Sequence, residues 1–369
     1  MLLNALFLAP GVSGGPDTYL RGLAAALART FPTLRLTIAT TESGGASLRA
    51  DGFGDFARIV ALPCEDGQRA RRQLAEQVVL PACARRARVD VVHSLASIAP
   101  LYAGARDVVT IHDVTFLRQP TFGRLTTLGM GFLVRTAARR ADGLITGSNA
   151  ARDEICAQLD IDPRRFTVVH HGHERDRVAP PTDAGALRAR LDIPDRRLVL
   201  SVGAKRPHKN QELLLRAVNA LPEDIVIVLV GHPEPYDATL RALATELGVE
   251  ARVRFVDYVS DGDLEGLWRI ASAAAQPTLG EGFGLPVLEA LTHGLPVAAS
   301  DLPVLREVGG DLVHYFDPRD TAGAAAAIVA ALDDVSVRER GPRHAAGFSW
   351  SEAARATYGV YERVSCMSG

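Results

Sequence analysis

Short apolar runs alternate with longer amphipathic stretches along most of this chain. Leu2 to Ala9, Leu34 to Thr40, Val89 to Ser94, Val108 to Ile111, Gly143 to Gly147 and Phe166 to Val169 each read as a strand. Uninterrupted apolar runs of this length suit a parallel sheet covered by helices on both faces. Helical patterns fall between them, over Tyr19 to Arg29, Arg69 to Arg88 and from Ser148, whose hydroxyl suits an N-cap. Residues 41–68 are polar and glycine-rich and read as a loop over one edge. Residues 176–196 carry Pro, Asp and Arg, with little core pattern beyond one short helix, and read as a linker. The alternation then restarts, with strands over Leu198 to Val202, Ile225 to Val230, Val253 to Val259, Ala271 to Thr278 and Pro296 to Ala299, and final helices to about Val364. The pattern predicts an α/β protein of two doubly wound, Rossmann-like domains, 1–175 and 197–349, facing a central cleft.

The length of 369 residues suits two domains, and 47% hydrophobic against 23% charged residues gives each a core. No apolar run reaches the ~18–20 residues that span a bilayer. The start, MLLNALFLAPG, has no basic residue ahead of it and reads as a first strand, not a signal peptide. Cys64, Cys83, Cys156 and Cys366 stand far apart. That spacing argues against a zinc site or a disulfide framework and for a cytoplasmic, reducing location.

Net charge is −2 but uneven: residues 1–175 hold 21 Arg and 16 acids, the remainder 20 basic and 27 acidic residues. A basic first half suits an anionic acceptor or peripheral contact with the inner face of a membrane, although an ordinary arginine-rich surface is the simpler reading. Nothing in the charge pattern points to nucleic acid. Of 41 basic residues only Lys205 and Lys209 are lysine, and they stand within five positions. Two lysines kept together mark a place that needs a compact point charge.

Candidate chemistry concentrates in Thr278-Leu279-Gly280-Glu281-Gly282-Phe283-Gly284-Leu285-Pro286-Val287-Leu288-Glu289-Ala290. It reads as strand, glycine loop and a helix opening near Pro286, since proline in a first turn forfeits no hydrogen bond. Gly282 and Gly284 bring backbone N–H groups close to a ligand, and a helix start behind such a loop is an anion site. Glu281 lies on the loop and Glu289 in the first turns of the helix. Carboxylates beside an anion site suit hydroxyl-rich neutral groups, a ribose or a sugar. Either glutamate alone would read as a surface residue; the whole pattern is rarer.

Other stretches are weaker. Pro10 to Thr18, with Gly14 and Gly15, is a glycine loop between strand and helix, and equally a tight turn; it is neither G-x-G-x-x-G nor a Walker loop. His112 stands at the carboxyl end of a strand, where ligands of parallel sheets bind. His170, His171 and His173 invite a metal reading, but an extended segment points them to opposite faces and no carboxylate or cysteine cluster completes a site. Asp261-Gly262-Asp263 has D-x-D form, but it precedes a helical pattern, and helix capping explains the acids.

The phrase Glu281-Gly282-Phe283-Gly284-Leu285-Pro286-Val287-Leu288-Glu289-Ala290 resembles the E-x7-E element of the retaining GT-B glycosyltransferases of the family 4 type. Gly203 with Lys209 six residues later, Gly14-Gly15, and the phrase Thr110-Ile111-His112-Asp113-Val114-Thr115-Phe116-Leu117-Arg118 resemble other elements of that family. The resemblance implies a GT-B fold, with a terminal helix, 350–369, returning to the first domain. It implies sugar transfer from a nucleoside diphosphate sugar to a carbohydrate or lipid-linked acceptor hydroxyl, with retention, without metal or cofactor, in polysaccharide, lipopolysaccharide or glycoconjugate synthesis. His112 and Glu281 would be catalytic. Gly14, Gly15, Gly203, Arg206, Lys209, Gly282, Phe283, Gly284, Leu285 and Glu289 would bind the donor. The His112 phrase is closest to mannosyl- and rhamnosyltransferase-like members, hence GDP-mannose as a donor. Two departures stand out: Ala204 where the family often has Arg, with Arg206 or Lys205 as replacement, and His171-Gly172 where Asn-Gly is usual, leaving Gly172 a lining role. The alternatives are a nucleotide-sugar epimerase or hydrolase of the same fold, and a nucleotide-sugar-binding protein without turnover.

Overall fold

Strand β1 (Leu2–Ala5) lies between β2 (Leu36–Thr40) and β4 (Val91–Ser94), and both pairings are parallel. Beyond β2 comes β3 (Ala57–Ala61); beyond β4 come β5 (Arg106–Thr110), β6 (Gly143–Thr146) and β7 (Phe166–Val168). The order is therefore β3-β2-β1-β4-β5-β6-β7. A second all-parallel sheet contains β8 (Arg197–Val202), β9 (Ile225–Val230), β10 (Val253–Val256), β11 (Ala273–Gln276), β12 (Val297–Ser300) and β13 (Val313–Phe316). Its order is β10-β9-β8-β11-β12-β13. These facts come from a computed structural model that describes residues 1–64, 69–118, 124–173 and 179–366.

The chain divides into two compact units, Met1–Gly172 with Ser349–Gly369, and His173–Phe348. Each sheet winds outward in both directions from its first strand. The winding reverses between β1 and β4 in one unit and between β8 and β11 in the other, and such a reversal opens a ligand crevice at the carboxyl ends of the strands. Central strands are sealed on both faces: every residue of β1, β9, β11 and β12 is buried. Alanines in β11 and β12 leave room for the helix Thr321–Asp333, itself alanine-rich, to pack closely.

The last helix, Trp350–Cys366, completes the first unit. Trp350, Ala353, Ala354, Val360, Tyr361 and Val364 join the same apolar core as Leu20, Leu23 and Leu27 of the helix Gly15–Thr30, and Tyr358 stacks on Phe31 at 3.9 Å. Two glycines permit this approach. A Cβ on Gly22 would strike the Trp350 indole, and one on Gly172 would strike the Trp350 backbone nitrogen. Gly172, expected to line a ligand site, packs under the start of this helix.

Several expected boundaries move. Residues 41–68 were expected as loop, but they contain the helix Glu42–Ala50, capped by Thr41, whose hydroxyl accepts from the Gly44 N–H, and the edge strand β3; residues 65–68 lie outside the described residues. The expected helix Arg69 to Arg88 is interrupted by a wider, π-type turn over Ala75–Val79. Pro81 follows that turn and has no N–H to give it, which accounts for the break. β10 ends at Val256, not Val259, and β13 is an additional edge strand. Of the linker range 176–196, residues 176–178 lie outside the described residues. Ala184–Arg190 is a helix of the second unit, capped by Asp183 and buried through Leu187.

Candidate functional site

In the second unit the loops after β8 and β11 flank the point where the winding reverses. Asn210 joins them. It adopts a left-handed φ of 54°, a conformation asparagine tolerates better than most residues, and its amide Nδ2 donates to the Pro277 carbonyl (3.0 Å) and the Pro318 carbonyl (2.8 Å). The Leu279 N–H donates to the His208 carbonyl at 2.7 Å, and the Thr278 hydroxyl reaches the same oxygen at 3.0 Å. The basic turn is thus fixed against the glutamate loop by backbone and buried polar groups.

Across that junction Lys209 Nζ donates to Glu281 Oε1 at 2.5 Å. Gln276, the last residue of β11 and 4% exposed, donates to the same oxygen at 3.0 Å. Gly203 carries no side chain over the Lys209 stem, which lies 3.6 Å from where its Cβ would be. Gly284 caps the next helix, Leu285–Thr292, at φ 97°, a value that favours glycine, and Pro286 sits in its first turn. Gly282 and Phe283 are buried behind it, and Leu285 is half-buried. Glu289 is half-buried one turn on, and desolvation pushes its carboxyl up to about 7.

The two lysines have different work. Lys205 is 0% exposed, and its Nζ donates to the Gly231 carbonyl (2.8 Å), the Val256 carbonyl (3.0 Å) and Asp257 Oδ1 (3.2 Å). It ties together the carboxyl ends of β8, β9 and β10 and is not a ligand-facing charge, contrary to expectation. Lys209, 19% exposed, is the cation that reaches the site. Arg206 is paired with Glu234, through Nη2 at 2.5 Å and Nε at 3.0 Å.

Behind Glu289 lies a feature without a sequence signal. His293 Nδ1 bonds to the Glu289 carbonyl (2.8 Å) and Nε2 to Glu265 Oε2 (2.7 Å), while the ring stacks over Trp268. Burial alone would raise the Glu265 carboxyl; hydrogen bonds from His293 and Arg269 outweigh it and hold it below its usual range. Asp263 is likewise structural. It accepts from the Thr182 hydroxyl (2.6 Å) and pairs with Arg190 (2.5 Å), which lowers it to about 2. The helix cap there is Ser260, not an acid.

The first unit is different in kind. Gly14 has φ 53° and caps the helix Gly15–Thr30; the Cβ directions of Gly14 and Gly15 meet open space. His112 follows β5, and its Nε2 donates to the Leu95 carbonyl at 2.8 Å, which leaves Nδ1 as the acceptor nitrogen. Desolvation lowers its basicity, so the ring is neutral. Its ring meets Tyr19 edge-on at 5.0 Å and His171 at 5.5 Å. Beneath, Tyr361 OH bonds to His93 Nδ1 (2.7 Å), His93 Nε2 to the Thr110 hydroxyl (2.7 Å), and that hydroxyl to Tyr19 OH (3.1 Å). Burial pushes His93 down to about 3, so this chain is uncharged. Of the three clustered histidines, His171 is buried in the first unit and His170 is exposed, while His173 belongs to the second. Glu174 and the side chain of Arg118 lie outside the described residues. Among the described residues no group of three or more His, Cys, Asp or Glu is placed to hold a metal ion.

Comparison with known proteins matches this division. Residues 13–177 match the family model described as Glycosyltransferase Family 4, and residues 183–345 the model described as glycosyl transferases group 1. The D-inositol 3-phosphate glycosyltransferase of Corynebacterium glutamicum is 33% identical over 241 residues, 60% of this chain and 57% of the relative. That of Mycolicibacterium paratuberculosis is 36% identical over 236 residues, 61% and 53%. The chain thus spans little more than half the length of these relatives. Among solved structures, sucrose-phosphate synthase from Thermosynechococcus elongatus superposes with a TM-score of 0.80 at 20% identity, covering 100% of this chain and 99% of that one. Anabaena HepE in complex with UDP and glucose gives 0.77 at 20% identity, covering 98% and 99%. By the two family models and the shared two-sheet architecture, the chain belongs to the family 4-like glycosyltransferases of GT-B fold.

Proposed function

We propose that the chain moves a sugar from a nucleoside diphosphate sugar to an acceptor hydroxyl, with retention at the anomeric carbon. The Lys209–Glu281 pair carries this reading: one cation and one carboxylate at the winding reversal of the second sheet, with the start of the helix Leu285–Thr292 behind them. The bond from the anomeric carbon to the diphosphate oxygen breaks, the acceptor oxygen takes its place, and the acceptor proton leaves to the departing phosphate. Lys209, Arg206 once released from Glu234, and the amides of Gly282, Phe283, Gly284 and Leu285 stabilise the charge that grows on the leaving group. Fixed charges and amides of this kind can do what a divalent ion does elsewhere, so the reading assigns no metal and no cofactor. Glu281 accepts from sugar hydroxyls and Glu289 from the ribose. In the first unit His112 is the candidate catalytic group, its neutral Nδ1 oriented to accept from a hydroxyl, and Gly14 and Gly15 leave backbone room for the donor.

GDP-mannose is the first donor to try, on the phrase around His112. D-inositol 3-phosphate, named for the relatives, is an acceptor to include beside carbohydrate and lipid-linked hydroxyls of polysaccharide, lipopolysaccharide or glycoconjugate synthesis. A thermal-shift screen of GDP-, UDP-, dTDP- and ADP-sugars, followed by product analysis with acceptor, tests the reading. Stabilisation by one donor and acceptor-dependent release of nucleotide is the expected result. Release without acceptor would favour a hydrolase or epimerase.

A membrane-facing surface belongs with this reading. No helix among the described residues is long and apolar enough to cross a bilayer. Leu74, Val78, Leu101 and Tyr102 are nonetheless exposed. Gln77 draws their segments together, donating to the Ala99 carbonyl (3.2 Å) and accepting from the Leu101 N–H (2.7 Å). Arg71, Arg85, Arg86 and Arg88 are exposed on the same stretch, and Arg85 lies over the Tyr102 ring. Apolar tips among guanidinium groups suit peripheral contact with an anionic bilayer at the cytoplasmic face. Sedimentation with phosphatidylglycerol vesicles but not with phosphatidylcholine vesicles is expected; no difference between the two would count against it.

A further inference from the structure

The ion pair at the heart of the second unit has a consequence for which ligands the site accepts, and it rests on the function proposed above. Lys209 and Glu281 are 19% and 13% exposed, so their attraction is only partly screened by water. The Glu281 carboxylate lies directly on the ammonium, at the seat the proposed phosphate would take. A diphosphate must win Lys209 away from that carboxylate, and it brings more negative charge to Glu281 as it does so. We propose that Glu281 is a built-in competitor for Lys209 and so makes the site select nucleoside diphosphate sugars over free nucleoside diphosphates.

Glu281 is held in place for that exchange. Gln276 donates to the same oxygen that Lys209 contacts, from a buried position at the end of β11. Asn210 fixes the strand exit at Pro277, and the Leu279 N–H is bound to the His208 carbonyl. The loop therefore cannot swing Glu281 clear when the ammonium turns to a phosphate. The carboxylate stays, with one neutral amide donor in place of a cation, and it needs new donors. Sugar hydroxyls are such donors and a bare diphosphate has none. After transfer the sugar has gone, Glu281 reclaims Lys209, and the free nucleoside diphosphate loses its main cation. Selection for the sugar-loaded nucleotide and release of the spent one are two sides of the same exchange.

Titration calorimetry on the wild-type chain, E281Q, K209A and the double variant tests this, with GDP, UDP, dTDP and ADP and their mannose or glucose conjugates. Glutamine keeps the shape of Glu281 and removes the charge, and the melting temperature of each variant verifies folding. E281Q is expected to bind the preferred free nucleoside diphosphate about five- to tenfold more tightly, the scale of a partly exposed ion pair. The sugar conjugate is expected to gain less or to weaken, so the preference for it collapses. In the K209A background the same glutamine substitution is expected to tighten free nucleotide little. Unchanged or weaker binding of free nucleotide by E281Q would overturn the proposal, and so would an equal gain in the K209A background, which is plain repulsion without competition. If the wild-type chain binds sugar conjugates and transfers sugar while either of those results holds, only the selection idea falls. If it binds none of the nucleotides, the proposed function falls with it.

Discussion

The two units share one winding scheme and use its reversal point in opposite ways. In the second, charge meets charge: Lys209 on Glu281, Arg206 on Glu234, Lys205 on carbonyls and Asp257. In the first, a buried carboxyl, Glu76, meets Asn4 of β1 and is raised to about 7, while the groups beneath His112 are neutral. A tyrosine, a histidine, a threonine and another tyrosine pass hydrogen bonds in sequence beneath His112. The same arrangement of strands therefore does not dictate the chemistry at its carboxyl edge; the loops do. A charged edge suits a leaving group that gains charge. A neutral hydrogen-bonded support suits holding one imidazole in one tautomer.

That contrast can be broken experimentally, and the largest effect belongs to the charged side. Lys209→Ala should lower the transfer rate about 10²–10³-fold, the scale for losing one fixed charge-stabilising group, with the melting temperature little changed. A small loss in steady-state rate would move the leaving-group charge elsewhere. Lys205→Met should do the reverse. It strands two carbonyls that now share one buried ammonium, at a cost of about 3 kcal/mol in stability read by denaturant unfolding. If it instead abolished nucleotide binding in a folded protein, the division between the two lysines would be wrong.

On the neutral side, Tyr361→Phe removes the hydroxyl partner of His93 Nδ1 and should destabilise the first unit by about 1–3 kcal/mol, with nucleotide affinity unchanged by calorimetry. The smallest effect is a pH slope. Glu289 in the folded protein titrates near 7, above its unfolded value, so the folded state binds the extra proton. Its contribution to stability is present below the unfolded value and is lost as pH rises through about 7. Donor affinity should run the opposite way, improving as the carboxylate forms and can accept from ribose hydroxyls. Glu289→Gln should flatten both slopes between pH 5 and 8; unaltered slopes would assign them to other groups.

Much of the architecture was legible because strands buried on both faces are mostly apolar. β9 is apolar throughout, and the buried runs of β1, β8, β11 and β12 are broken only by Asn4, Ser201, Gln276 and Ser300 or end on the half-buried Arg197. The two strands without a clear sequence pattern, β3 and β13, are both sheet edges, where one flank faces solvent and the apolar run is broken by Arg58 or by His314. The glutamate loop was legible because glycines and a proline at fixed offsets constrain backbone. The partners were not. Glu281 meets Lys209 across 72 positions, and His93 meets Tyr361 across 268. No local pattern encodes such pairs; they exist only once the loops and the terminal helix are in place. The six-residue step from Gly203 marked Lys209 by resemblance, but nothing local showed that Lys205 is buried. Lys205 turns inward onto carbonyls that Gly231 and Val256 present, and those come from distant parts of the chain.

The helix that begins at Trp350 belongs to the unit whose first strand was made hundreds of residues earlier. A ribosome delivers 173–348 before it delivers that helix, so the second unit has all its parts while the first still waits with Tyr19, Phe31 and His93 uncovered. Order of synthesis and order of completion are therefore inverted for half of this molecule. A nascent chain paused between the two would be the species most in need of a chaperone.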